Sequence, residues 1–209
     1  MEKNEVRREY RLTACDGEPN WSAVPAAAID CYPWDTGGYR PTAWARLCRV
    51  GAETLRLRMG CVEKSPRAVW REPDSPVYQD SCLEFFVAPP AGDGYFNFEM
   101  NSLGVLLCEV GRAGDRVYLA KAGLTRPVCR PLDARERPRD GWGVELTLPL
   151  ELFQAAFGPM SFHGGWLLGN FYKCGDHTAA PHYGCWSPVR FPTPNFHRPE
   201  SFGRLILPD

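Results

Sequence analysis

The sequence predicts an all-β protein, an antiparallel β-sandwich of the jelly-roll or immunoglobulin-like kind with one short helix. Three observations predict it. Short segments of alternating apolar and polar residues recur with turn signals at about 8–12-residue spacing, as in sandwiches and barrels. Turn formers are abundant, with 20 glycines and 20 prolines in 209 residues, which favours many turns over long helices. No strand–helix alternation of the kind that builds a parallel sheet is present. The length suits one domain with its own core, and residues 1–209 are read as one.

The elements follow in order. Residues 41–50, PTAWARLCRV, read as a strand, and 53–62, ETLRLRMGCV, alternate Leu55, Leu57 and Met59 against Arg56 and Arg58. Val50-Gly51-Ala52 between them is a tight connection. Residues 63–80 carry prolines, charges, Trp70 and Tyr78, and form a long loop. Residues 82–87 and 95–101 are two alternating strands joined by a Pro/Gly-rich turn, and Leu103–Val110 continues as a third. Residues 130–140 are a polar loop. Residues 141–148 place Val144, Leu146 and Leu148 inward. Pro149 opens a helix over ELFQAAF that Gly158 closes. Residues 165–173 and the tail GRLILP supply the last strands, for roughly eight to ten in all.

Net charge is −1, which gives no electrostatic footprint for nucleic acid or an anionic membrane surface. No apolar run approaches the roughly 20 residues of a membrane helix. The N-terminus MEKNEVRREYRL is charged and unlike a secretory leader, so the expected location is cytoplasmic. The nine cysteines are widely and irregularly spaced. That is unlike a disulfide framework and fits mostly reduced thiols in a reducing compartment.

Chemistry concentrates in DSCLEFFVAPPAGDGYFNFEMNSLG, residues 80–104. Phe96, Phe98 and Met100 share one face of their strand. Asn97, Glu99 and Asn101 share the other, about 7 Å apart along it. If Leu83, Phe85 and Val87 are core, Glu84 joins Glu99, and Arg58 with Arg56 are candidates for the same face. A row of amides and carboxylates suits a ligand covered in hydroxyls. The competing reading is a solvated face with cross-strand ion pairs. Two strand asparagines, and the lack of lysine between Ser65 and Lys121, speak against plain solubility. Aromatic rings that could stack on a sugar are Trp34, Trp70, Tyr78, Trp142, Trp166, Tyr172, Tyr183 and Trp186, mostly in or beside loops, with Trp70 and Trp186 the foremost. Cys174, His177, His182 and Cys185 are spaced C-x2-H-x4-H-x2-C, ligand types that suit zinc without matching a common zinc-finger spacing. Glu84 and Glu99 could also be a glycosidase carboxyl pair, a separation the sequence does not fix.

The blocks DSCLEFFVAPP, YFNFEMNSLG, GNFYKCGD, PHYGCWSPV and PNFHRPESFGRLIL resemble the family 9-like carbohydrate-binding proteins. These are relatives of the modules attached to xylanases, within the DOMON-like β-sandwich group. The resemblance runs from Ile29 to Leu207 and is densest at Asp80–Gly104 and Gly169–Leu207. It implies a non-catalytic sandwich with a sugar cleft, where saccharide stacks between two tryptophans and is held by Asn, Glu, Arg and Lys side chains. By position it implies Glu84, Asn97, Glu99, Asn101 and Lys173 as polar contacts, with Trp70 and Trp186 as stacking rings. The expected partner is a saccharide or glycoside, and no protein partner is legible. Related modules bind calcium structurally, so calcium stays open although no dense run of aspartates occurs. A hydrolase using Glu84 and Glu99, and a zinc-stabilised interaction domain, are the alternatives.

Overall fold

The computed structural model describes residues 7–34, 37–91 and 93–209, so the first residues of the charged N-terminal stretch lie outside it. Three short strands, β1 (Glu9–Arg11), β2 (Thr13–Cys15) and β3 (Ala27–Ile29), precede the hairpin β4 (Ala43–Val50) and β5 (Thr54–Cys61). A meander follows, of β6 (Cys82–Ala88), β7 (Tyr95–Asn101), β8 (Leu106–Arg112) and β9 (Asp115–Tyr118). Then come β10 (Val128–Pro131), β11 (Trp142–Pro149), the helix α1 (Leu150–Phe157), β12 (Trp166–Cys174), β13 (Tyr183–Cys185) and β14 (Gly203–Ile206).

The strands form two sheets. The first is ordered β1-β14-β12-β6-β7-β8-β9 with β13 also on β12; the second is β10-β11-β5-β4-β2 with β3 also on β4. The pairing is antiparallel except at β1 with β14 and β2 with β4, which run parallel. The parallel pairs arise because the N-terminal segment switches sheets between Arg11 and Thr13. The buried Tyr10 secures the switch: its hydroxyl donates to Pro25 O at 2.7 Å and accepts from Leu47 N–H at 2.9 Å.

Alternation sets the core. Leu83, Phe85 and Val87 of β6 and Phe96, Phe98 and Met100 of β7 are buried against Leu55, Leu57 and Met59 of β5 and Val144, Leu146 and Leu148 of β11. Phe85 stacks on Phe171 with ring centroids 5.1 Å apart. Truncating one such ring typically costs about 3–5 kcal/mol. At the end of α1, Gly158 adopts φ 85 and its N–H bonds Gln154 O, the left-handed closure that glycine makes without strain. Among the described residues no helix is long and apolar enough to cross a membrane.

One feature departs from the alternation. The outer face of the first sheet is also largely buried. Phe86, Tyr95 and Tyr172 form a second apolar cluster there, covered by Val189, Phe196 and Phe202 of the C-terminal segment. Every residue of β6 and β7 is therefore buried, on both faces. The 63–80 loop covers the other end of this face. Its anchor is Asp80, whose carboxylate accepts the Val69 and Trp70 N–H groups at 3.0 Å.

Candidate cleft on the outer face of the first sheet

Strand register places the polar residues in a grid on this outer face. Glu84 of β6 stands directly opposite Glu99 of β7, with Leu107 beyond it on β8. One row along, Phe86, Asn97, Glu109 and Tyr118 line up across β6, β7, β8 and β9. In the other direction Cys82 pairs with Cys174 and with Asn101. The covering segments leave a gap over the middle of this grid, a cleft of about 540 Å³.

Glu84, Glu99 and Cys174 form its floor. Glu109, Arg116 and Tyr118 make one wall, and Tyr78, Asp176 and Tyr183 another, with Phe196 and His197 on the C-terminal segment. Tyr78 sits in a single 3-10 turn at Val77–Gln79 and is 38% exposed. That turn is tied to the end of β12 because Asp176 N–H donates to Tyr78 O and His177 N–H to Gln79 O, at 3.2 and 3.1 Å.

The floor is chemically unusual for a sheet surface. Glu84 and Glu99 are 2% and 4% exposed. Burial, more than the neighbouring Cys174 and Glu99, pushes the Glu84 carboxyl well above its ordinary range. Glu99 is pushed up to about 8, again chiefly by burial, against the opposing hydrogen bond from Asn97. Asp176 is also raised by burial. Burial thus shifts both floor carboxyls toward the protonated form, which donates one hydrogen bond as well as accepting. Asn97 Nδ2 donates to Glu99 Oε1 at 3.0 Å, while Glu99 Oε2 is buried without a partner. On the wall, Glu109 pairs with Arg116 at 3.2 Å. Arg116 also reaches His197 Nε2 at 3.3 Å, and Tyr95 Oη lies 2.9 Å from His197 Nδ1.

The sequence-based candidates divide accordingly. Glu84 and Glu99 line the cleft, and Asn97 stands behind Glu99. Asn101 shares the face but is spent on structure. Its amide donates to Trp70 O at 2.8 Å and to Asp80, and its oxygen accepts the Leu103 and Val105 N–H groups. Tyr172 faces outward beneath Phe196, with ring centroids 4.1 Å apart, and is fully covered. Trp70 is half-buried in the 63–80 loop and packs on the outer apolar cluster outside the cleft.

Three expectations fail on topology. Arg58, like Arg56, belongs to the second sheet, away from the row. There it donates to Glu145 Oε2 at 2.6 Å and to Glu136 at 2.9 Å, and lies over Trp21. Trp186 is buried between the sheets against Phe171. Lys173 falls on the inner face because alternation along β12 turns it opposite to Tyr172. It is fully buried, pairs with Glu63 at 3.4 Å and donates to His182 Nε2 at 2.7 Å. The proposed zinc quartet does not converge among the described residues. Cys174 is on the outer face, His182 is with Lys173, and Cys185 lies by Cys31 on β13, with its N–H donated to Cys31 O at 2.8 Å. All nine cysteines are unbridged.

Tyr78 and Tyr183 replace the tryptophans as cleft aromatics. Tyr118, Arg116, Asp176 and His197 were not legible, since they come from a short edge strand and two loops with no period. Glu109 on β8 was not singled out, although alternation from the buried Cys108 places it on the outer face. Among the described residues, metal-ligating side chains converge at Cys82, Glu84 and Cys174, whereas calcium takes about 6–8 oxygens.

A family model described as carbohydrate-binding family 9 matches residues 20–207. The chain belongs to that family. Among solved structures, it is similar to a candidate carbohydrate-binding protein from Bacteroides uniformis. The TM-score is 0.78 with 27% identity, over 96% of this chain and 99% of the other. Two family 9 structures from Caldicellulosiruptor kristjanssonii share the fold at 15% identity. One, in complex with glucose, has a TM-score of 0.65 over 96% of this chain and 95% of the other. The second, in complex with cellotriose, has 0.62 over 95% and 94%. No curated protein matches the chain significantly.

Proposed function

We propose that this family 9 protein binds its saccharide in the cleft over Glu84 and Glu99, without chemistry on it. One observation carries the reading: two facing buried carboxyls, one with an unpartnered oxygen, form the floor of an open cleft walled by tyrosines. A sugar hydroxyl both donates and accepts, and so does a protonated carboxyl. A ring lying on Tyr78 or Tyr118 would present its C–H face to the aromatic ring and its hydroxyls to the floor. The volume lies within the roughly 300–1,000 Å³ of small-molecule sites. The glucose and cellotriose complexes of the family 9 relatives support gluco-configured ligands as first probes.

Calorimetric titration with glucose and cellotriose tests this. The wild type should bind one of them weakly, because an open cleft gains little beyond the cost of association. Tyr78→Ala should weaken binding by about ten-fold, the equivalent of ~1.4 kcal/mol. Arg58→Met, on the far sheet, should leave it unchanged. Equal loss in both variants would place the ligand elsewhere.

A further inference from the structure

Beside Glu84, which the saccharide reading uses, lie two thiols that it does not. Cys82 and Cys174 are directly opposed across β6 and β12. Glu84 lies two residues along β6 on the same face. Both sulfurs and a Glu84 carboxyl oxygen lie within 4.8 Å of one another. The Cys174 thiol donates to Glu84 Oε1 at 2.9 Å. With zinc bonds of about 2.0–2.3 Å, ligand atoms on a tetrahedral ion sit about 3.3–3.8 Å apart. The three donors are thus nearly in position. All are at most 2% exposed, and Glu84 and Cys174 face the cleft, which gives an ion a way in. A second observation lies directly beside this group. Glu99, across the strand pair from Glu84, is 4% exposed, and its Oε2 is buried without a partner.

We propose that Cys82, Glu84 and Cys174 bind one borderline-soft divalent cation of the zinc class, with the fourth coordination position facing the cleft. The ion binds as M²⁺, and the protons now held by the two thiols and the carboxyl pass to solvent. Charge explains the preference. Three buried acids are costly to ionise alone, and a divalent ion compensates two of the three negative charges. Two thiolates select against calcium and magnesium. This set shares only Cys174 with the zinc quartet that the sequence spacing offered.

The test is a titration of the reduced full-length chain with cobalt(II), then zinc(II), in the absence of sugar, so its outcome is independent of the saccharide reading. One equivalent of cobalt should bind, with the near-ultraviolet absorption of thiolate-to-cobalt charge transfer, and zinc should displace it. Cys174→Ser should abolish the band. Glu84→Gln should weaken binding by about ten-fold or more. Cys129→Ser, distant on β10, should keep it. Circular dichroism of each metal-free variant confirms that it is folded. If the wild type binds no stoichiometric metal, or folded Cys174→Ser and Glu84→Gln bind as the wild type does, the site does not exist.

Discussion

The Lys173 ammonium is the residue whose surroundings say most about how this sandwich is closed at one end. It is fully buried, yet it has Glu63 at 3.4 Å, Cys174 O at 2.8 Å and His182 Nε2 at 2.7 Å. Glu63 is further held by Ser81 and by Trp142 Nε1, each at 2.9 Å. Because Lys173 donates to Nε2, the remaining His182 N–H at Nδ1 donates to Ala180 O at 2.8 Å, so the imidazole is neutral. Burial, and then the Lys173 charge, lower its pKa to about 4. Unfolded, the same ring titrates near ~6.5. Above that pH it is neutral in both states and contributes nothing. Between about 6.5 and 4 the unfolded chain gains a proton that the folded chain refuses, so the folded state loses stability as pH falls. The raised carboxyls of Glu84 and Glu99 act in the opposite direction, since the folded state holds their protons. The clean readout is therefore a difference. In urea unfolding at pH 7 and pH 4.5, wild type should lose stability relative to His182→Gln. A difference that does not change with pH would contradict a buried neutral His182.

At the scale of elements, the long strands follow from alternation, and the ones that were missed are those too short to show it. The spans 43–50, 54–61, 82–88, 95–101 and 142–149 each carry enough apolar residues at period two to declare a face. β1, β2, β3 and β13 are three residues each and β9 and β10 four, held by pairing to a neighbour more than by their own pattern. The candidate site was legible in the same unequal way. Alternation put Glu84, Asn97 and Glu99 on one face. It could not say that Arg58 belongs to the other sheet, because a strand's pattern does not name its partner. Nor could it say that a C-terminal segment roofs the face, because β6 and β7 keep polar residues under that roof. Trp186 shows how much local crowding matters. Its ring fills the space above Gly203 so closely that an added Cβ would lie 2.4 Å from it and 2.7 Å from Arg8 O. Gly203→Ala should therefore lower stability by ~1–3 kcal/mol, measured by urea unfolding, with sugar affinity retained. Unchanged stability would mean that β14 and Trp186 can separate without cost.

Across the whole molecule the two sheets have different tasks. The second carries its charges as a cross-strand network, with Glu145 receiving Arg56, Arg58 and Arg130. Such a face is closed to a ligand because its polar groups already satisfy one another. The first sheet keeps buried carboxyls, thiols and an unpartnered oxygen under an incomplete roof of tyrosines and the C-terminal segment. That asymmetry is the ground on which we propose the first sheet as the binding face, and membership of carbohydrate-binding family 9 says what class of ligand it serves. The most direct measurement is a crystal structure of the protein soaked with cellotriose. The account predicts sugar density over Glu84 and Glu99, with hydroxyls hydrogen-bonded to both carboxyls and a ring against Tyr78 or Tyr118. Sugar ordered on the outer face of the second sheet, with the cleft holding only water, would contradict it.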